Sequence, residues 1–81
     1  MDMDIFIEHF TGALEDLPDA PLTPDTVFKA LKAWDSLAVL TVTDTIDIEY
    51  GVLLKKADFA SCESIHDLFQ LVMRKRQARG A

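Results

Sequence analysis

One serine stands where a side-chain hydroxyl could take a covalent group. Ser36 follows Asp35, a residue type that often caps helices, and precedes a run rich in apolar residues. A serine at a helix start lies beside backbone N–H groups that have no intrahelical partner. A phosphodiester on that hydroxyl would be favoured there, because helix N-termini attract phosphate groups. From these residue types alone, the pair could equally be a purely structural helix cap.

The other reactive side chains do not form a catalytic set. Cys62 and His66 are four residues apart, but Ser64 is predicted to begin a helix between them, and no third group orients them. His9 follows Glu8 on the first predicted helix and is interpreted as a surface residue. Gly-rich phosphate loops and Cys-x-x-Cys pairs are absent from the sequence. We therefore predict a protein without catalytic residues or a metal site.

Length and composition predict one small domain over residues 1–81, with a frayed basic tail over about 76–81. A chain of 81 residues buries only about 60% of the surface that its unfolded form exposes, which leaves little room for a deep enzymatic cleft. Hydrophobic residues make up 49% of the sequence, enough for a packed core. The single cysteine cannot form an internal disulfide, which favours a reducing cytoplasm.

Membrane and secretory signals are not expected. Apolar runs stay well short of the roughly 20 residues that a membrane span requires. The N-terminus is acidic where a signal peptide would be basic. The sequence therefore predicts a cytoplasmic protein that does not span a membrane, and we expect a monomer.

Charge is unevenly distributed along the chain. The net charge is −6, but residues 1–54 carry eleven acids and two bases, Lys29 and Lys32, whereas residues 55–81 carry three acids and six bases. The acidic body argues against nucleic-acid binding, which needs a basic surface. It suits attraction to partners with basic patches, although an acidic surface could also serve solubility alone.

The spacing of apolar residues predicts helices. The first runs from about Asp4 to Leu17, and a proline-containing loop with a possible short helical turn at Thr23-Pro24 follows over 18–34. Trp34 is interpreted as a packing residue. The segment 36–50 fits a helical stripe and also shows strand-like alternation, but Asp35 as N-cap and Gly51 at the end favour helix. The core-facing stripe is predicted to be Val39, Val42, Ile46 and Tyr50, packed on Phe6, Phe10, Leu14, Leu68, Phe69 and Val72.

The remaining chain predicts a short helix and a long one. A turn or short helix is expected around Ala57-Asp58-Phe59-Ala60. Ser64 is predicted to cap the last helix, with Asp67 completing a capping box. The fold class is thus all-α: a small four-helix bundle with three main helices, one short helix and a long loop after the first.

The residues Trp34-Asp35-Ser36-Leu37-Ala38-Val39-Leu40 resemble the phosphopantetheine attachment motif of acyl carrier proteins and peptidyl carrier proteins. The resemblance extends over nearly the whole chain, because the order and lengths of the predicted elements are similar to the four-helix bundle of that family. It implies a non-catalytic carrier with 4'-phosphopantetheine attached to Ser36 by a phosphopantetheinyl transferase. Acyl intermediates would travel as thioesters between enzymes of fatty acid, lipid or polyketide-type synthesis.

The resemblance also implies a recognition face on the second helix. Asp35 and Leu37 flank the serine as expected contacts for the transferase. The face predicted to meet partner enzymes comprises Leu37, Leu40, Thr41, Asp44, Asp47 and Ile48. The two acids would equally suit a helix face that simply meets solvent.

The sequence departs from the fatty-acid carriers that it resembles. Ala38 and Thr41 occupy positions that are commonly acidic in those proteins, and Asp44 stands where an apolar residue is often found. These departures suit a specialised carrier at least as well as one of ordinary fatty acid synthesis. Trp34 before the Asp-Ser-Leu and the reduced acidity of the second helix also suit a peptidyl or aminoacyl carrier. From another class, a helical protein-interaction module that carries no arm also remains open.

Overall fold

The computed structural model describes residues 3–14 and 20–80. Four α-helices lie within them: α1, Met3–Gly12; α2, Ser36–Tyr50; α3, Lys56–Ala60; and α4, Ile65–Gly80. A short 3₁₀ turn, Phe28–Ala30, interrupts the connection between α1 and α2. In the described part of the chain, extended pairing is limited to one isolated bridge between Val27 and Ser64. The predicted all-α architecture, with three main helices and one short helix, is confirmed.

Helix α1 is shorter than predicted. It ends at Gly12, and Ala13 and Leu14 leave the helix in a turn in which the Leu14 N–H donates to the Thr11 carbonyl at 3.1 Å. Glycine weakens a helix because it has the most backbone freedom to lose. Ala13 and Leu14 are nevertheless buried, so the apolar pattern continued past the helix into an irregular segment. The predicted end at Leu17 lies outside the described residues.

The bounds of α2 follow from its two caps. The Asp35 carboxylate accepts a hydrogen bond from the Ala38 N–H at 2.8 Å, which satisfies one of the free donors of the first turn. At the other end Gly51 adopts the left-handed conformation, with φ at 68°, and its N–H donates to the Asp47 carbonyl. Glycine occupies this conformation without a steric penalty. The prediction of helix over strand for 36–50 is confirmed.

The core lies where α1, α2 and α4 meet and extends under the loop and α3. Its largest fully buried side chains come from α1, the 3₁₀ turn, α2 and α4: Phe6, Phe28, Val42, Ile65, Leu68 and Val72. Two predicted core residues, Val39 and Phe69, are only partly buried where they pack against the core, and Ala38, 4% exposed, is buried in α2 instead of Val39. Successive helical residues point about 100° apart, so the buried stripe is rotated by one position at this end of α2.

Helix α4 begins with the predicted capping box. The Ser64 hydroxyl accepts from the Asp67 N–H at 3.2 Å, and the Asp67 carboxylate accepts from the backbone N–H groups of Ser64 and Glu63 at 3.1 Å each. The helix includes residues 76–80, which were expected to lie in a frayed tail. Within residues 3–14 and 20–80, none of the helices combines the length and apolar character needed to cross a membrane.

The Asp67 cap makes stability depend on pH. The backbone hydrogen bonds from Ser64 and Glu63 hold the pKa of Asp67 below its ordinary value of 3.8. Because the folded-state pKa is lowered, the cap contributes fully above pH 3.8 and is lost as the pH falls through the lowered pKa. We expect Asp67→Asn to lower the melting temperature at neutral pH, with the difference from wild type shrinking below pH 3.8.

Thermal unfolding followed by circular dichroism across the acid range checks this dependence. Glu63→Gln is the matched control, because it removes a neighbouring exposed carboxylate while keeping the backbone donor. An Asp67→Asn variant whose melting temperature differs from wild type equally at every pH would contradict the assignment.

Candidate functional site

Ser36 is the first residue of α2 and its side chain is exposed. Asp35 before it has extended backbone dihedrals, φ −136° and ψ −172°, and its carboxylate faces the helix through the bond to the Ala38 N–H. The Asp35 side chain is therefore committed to the cap, and the Ser36 hydroxyl lies beside the positive end of a helix of 15 residues. The predicted position of this pair is confirmed, and the hydroxyl is open to solvent.

A cleft that the sequence did not predict opens beside Ser36. It has a volume of about 450 Å³ and lies between the start of α2, the 3₁₀ turn and α3. Its lining combines aromatic, aliphatic and basic side chains: Lys29, Trp34, Ser36, Val39, Thr43, Lys56, Phe59 and Ala60. The partly buried Val39 packs against the core and also lines this cleft.

Trp34 is held in place by other rings. It stacks nearly parallel to Phe10 with centroids 5.9 Å apart, and it meets the edge of Phe28 at 4.9 Å. Phe59 of α3 lies 5.6 Å from it. Aromatic pairs at these distances add to the stability gained by burial. The interpretation of Trp34 as a packing residue agrees with these contacts, and its remaining surface also borders the cleft.

The cleft carries positive charge in an acidic protein. Lys29 reaches it from the 3₁₀ turn, and its ammonium donates to the carbonyl oxygen of Ala60, the last residue of α3, at 3.3 Å. Lys56 reaches it from the first residue of α3. Neither lysine has a carboxylate within 4.0 Å among the described residues. The two cations therefore face the same space as Ser36.

The outer face of α2 is exposed as the helical spacing predicted. Leu40 and Ile48 are 65% and 75% exposed, Leu37 is 44% exposed, and the carboxylates of Asp44 and Asp47 also face solvent. Thr41 is half-buried, and its hydroxyl donates to the Leu37 carbonyl at 2.9 Å. The face thus combines uncovered apolar side chains with two acids.

Protein-family models and curated proteins were compared with the sequence, and none matches. Among solved structures, the chain is similar to the solution NMR structure of the holo acyl carrier protein from Geobacter metallireducens, with a TM-score of 0.74. The match covers 95% of this chain and 87% of that chain, and the two sequences are 22% identical. The chain has the fold of an acyl carrier protein.

Two details of this acyl-carrier fold bear on its surface charge. Ala38, at a position expected to be acidic in fatty-acid carriers, is buried here, so a carboxylate would have to leave water at that site. Thr41 bonds to its own helix backbone. The first turns of α2 therefore carry little negative charge, and the acids Asp44 and Asp47 lie toward its C-terminal half.

His9 is placed differently from the prediction. It is half-buried between α1 and α2, where its Nδ1 lies 2.9 Å from the Tyr50 hydroxyl and its Nε2 lies 3.4 Å from the Glu49 carboxylate. Burial, with Glu49 adding to it, raises the pKa of Tyr50, so the phenol stays protonated and can donate to the imidazole. His9 therefore links α1 to α2, and the carboxylate that it contacts is that of Glu49 rather than that of its sequence neighbour Glu8.

Cys62 and His66 do not form a reactive pair. Cys62 is 3% exposed, and burial raises the pKa of its thiol, which disfavours the nucleophilic thiolate. His66 is exposed on α4, where its backbone N–H donates to the Pro24 carbonyl. Cys62 is a residue of the hydrophobic core.

Proposed function

We propose that this protein is an acyl carrier protein that holds a covalent 4'-phosphopantetheine arm on Ser36. The observation that carries the proposal is an exposed serine hydroxyl at the capped N-terminus of α2, in a bundle with the acyl-carrier fold. That position matches, residue by residue, the Asp-Ser-Leu motif on which the resemblance rests. The holo form of the similar carrier from Geobacter metallireducens supports the same reading.

The residues around Ser36 fit a phosphodiester. The first turn of α2 presents backbone N–H groups without intrahelical acceptors, and the helix dipole favours an anion there. Because the Asp35 carboxylate accepts from the Ala38 N–H, part of its charge is already engaged by the helix. Lys29 and Lys56 border the same space and add positive charge. When attached, the arm would supply a terminal thiol on which acyl groups are carried as thioesters.

The protein's own residues would supply attachment and recognition. Ser36 provides the oxygen that holds the arm, and the exposed Asp35 and Leu37 flank it where a phosphopantetheinyl transferase must approach. Acyl-loading and acyl-processing enzymes of fatty acid, lipid or polyketide-type synthesis would meet the outer face of α2 transiently. There Asp44 and Asp47 guide basic surfaces, while exposed apolar side chains fix the register: Leu37, Leu40 and Ile48, with Thr41 among them.

One observation favours an aminoacyl carrier as the second candidate. The first turns of α2 lack the acids typical of fatty-acid carriers. Ala38, at one of these positions, is buried, so the core packing itself disfavours an acid there. Loading separates the two candidates: the modified protein is offered to an acyl-activating enzyme and to an amino-acid-activating enzyme, and the mass of the product is recorded. If the protein is an acyl carrier, its arm gains an acyl group from the first enzyme and gains no aminoacyl group from the second.

Attachment predicts a complete loss of modification in one variant. Wild-type protein incubated with coenzyme A and a broad-specificity phosphopantetheinyl transferase should gain the mass of one arm, whereas Ser36→Ala should gain none. Ser61→Ala is the matched control, because Ser61 is also an exposed serine at a helix end and should leave the gain intact. Intact-mass spectrometry reads all three samples. A wild-type protein that gains no arm contradicts the proposal and favours an interaction module.

A further inference from the structure

We propose that the cleft beside Ser36 is a seat for the inner half of the arm, in which Lys29 and Lys56 hold its phosphodiester. The inference rests on the proposed attachment to Ser36 and concerns what the rest of the chain does with the attached group. The seat has three parts, all bordering one space: the serine, two cations and an apolar wall.

The cations lie where charge complementarity requires them. Residues 1–54 contain only two bases, and one of them, Lys29, borders this cleft. Lys56 comes from α3 and has no ion-pair partner among the described residues. The Lys29 ammonium uses one of its three donors on the Ala60 carbonyl, which steers it toward α3 and leaves two donors free for an anion.

A phosphodiester on Ser36 would border the same cleft as both lysines. The oxygen that would carry the phosphorus is Ser36 Oγ, so the anion must lie at the edge of the cleft. Lysine side chains are flexible, so both ammonium groups can move toward an anion at that edge. At 0.01 M salt, where the Debye length is about 30 Å, charges that border one cleft attract each other with little screening.

The apolar wall suits the next part of the arm. The pantoyl unit that follows the phosphodiester carries two methyl groups on one carbon, which favour apolar contact. Trp34, Val39 and Phe59 provide that surface, and the ring contacts of Trp34 with Phe10 and Phe28 fix it before anything binds. At about 450 Å³ the cleft is at the small end of the range of ligand pockets. It suits the inner half and leaves the thiol end free to reach partner enzymes.

The lysines also relieve a repulsion. A phosphodiester on Ser36 lies next to the Asp35 carboxylate along the chain, and like charges disfavour each other at short range. The two lysine ammonium groups that border the cleft offset this repulsion between the phosphodiester and the carboxylate. The modified protein should therefore be more stable than the unmodified one, and the gain should need both lysines.

The test compares unmodified and fully modified protein, with attachment of the arm checked by mass in every sample. We expect modification to raise the melting temperature of wild type by about 2–6 °C at low salt, as two exposed ion pairs in a small domain would. It should also shift the indole N–H resonance of Trp34, which is the only tryptophan in the chain. The double variant Lys29→Gln, Lys56→Gln should lose most of both effects.

A matched double variant controls for net charge. Lys32→Gln with Lys55→Gln removes the same charge from exposed lysines that neighbour the first pair in sequence but do not border the cleft. It should keep the stabilisation and the Trp34 shift. For wild type, the gain in melting temperature should disappear at 1 M salt, where the Debye length is about 3 Å.

The outcomes separate this inference from the proposed function. If the arm is attached but wild type shows neither effect, or if both double variants lose them equally, the seat is refuted while attachment stands. If no arm is attached in any sample, the proposed function fails and the seat fails with it.

Discussion

Replacing Phe28 with alanine should lower the free energy of unfolding by about 3–5 kcal/mol. Phe28 is fully buried, at 0% exposure, and its ring meets Phe10 at 5.7 Å, Trp34 at 4.9 Å and Phe59 at 6.5 Å. It thereby ties the 3₁₀ turn to α1, α3 and the residue before Asp35. Truncation removes these contacts and leaves a cavity that rigid neighbours cannot fill.

Urea unfolding measures the loss, and Trp34 reports its location. Val27→Ala is the control, because that neighbouring side chain is 49% exposed and should cost well under 1 kcal/mol by comparison. The emission of folded Phe28→Ala should shift toward that of a more solvated tryptophan, since the nearest ring to Trp34 is gone. A cost for Phe28→Ala no larger than that for Val27→Ala would contradict the packing described.

Phe6→Ala should cost about the same, about 3–5 kcal/mol, in a separate group of ring contacts. Phe6 is 1% exposed and joins three helices, because its ring meets Phe69 of α4 edge-on at 5.2 Å and Tyr50 of α2 at 5.6 Å. Trp34 is not among its ring partners, so the native Trp34 emission should not change. Ile5→Ala, at a position 47% exposed, is the matched control on the same helix.

The two aromatic variants together test how the core is divided. Equal losses of stability with a Trp34 shift only in Phe28→Ala support separate aromatic groups at the cleft and at the α1–α4 contact. An emission shift of equal size in Phe6→Ala would refute that division.

The helix ends that local chemistry determines were predictable from the sequence. Asp35 and Gly51 bound α2 at both ends because each acts on the backbone next to it, through a side-chain acceptor and a left-handed φ. Ser64 and Asp67 begin α4 by the same kind of local bond. Each of these signals lies within a few residues of the structure that it determines.

Features that depend on contacts between elements were not predictable. The cleft exists because Lys29, Val39 and Lys56 come together from three elements, which spacing along one element cannot reveal. The contact of His9 with Tyr50 spans 41 residues, and the sequence offered only Glu8 as a neighbour. Lys29 did carry a weak signal, because it is one of two bases in an otherwise acidic stretch.

The candidate site divides in the same way. The capped, exposed position of Ser36 was predictable from Asp35 and the helical run that follows. Its proposed chemistry came from the resemblance of the whole chain to a family. The residues proposed to hold the inner half of the arm come together only in the folded structure, so the sequence did not reveal them.

The most direct test of the central claim is to find where the arm is attached. Wild-type protein treated with coenzyme A and a phosphopantetheinyl transferase is digested, and the modified peptide is fragmented in a mass spectrometer. We predict a single phosphopantetheine group on the peptide that contains Asp35-Ser36-Leu37, with the fragment ions placing it on Ser36. An arm on any other residue, or a protein that stays unmodified, would contradict the account.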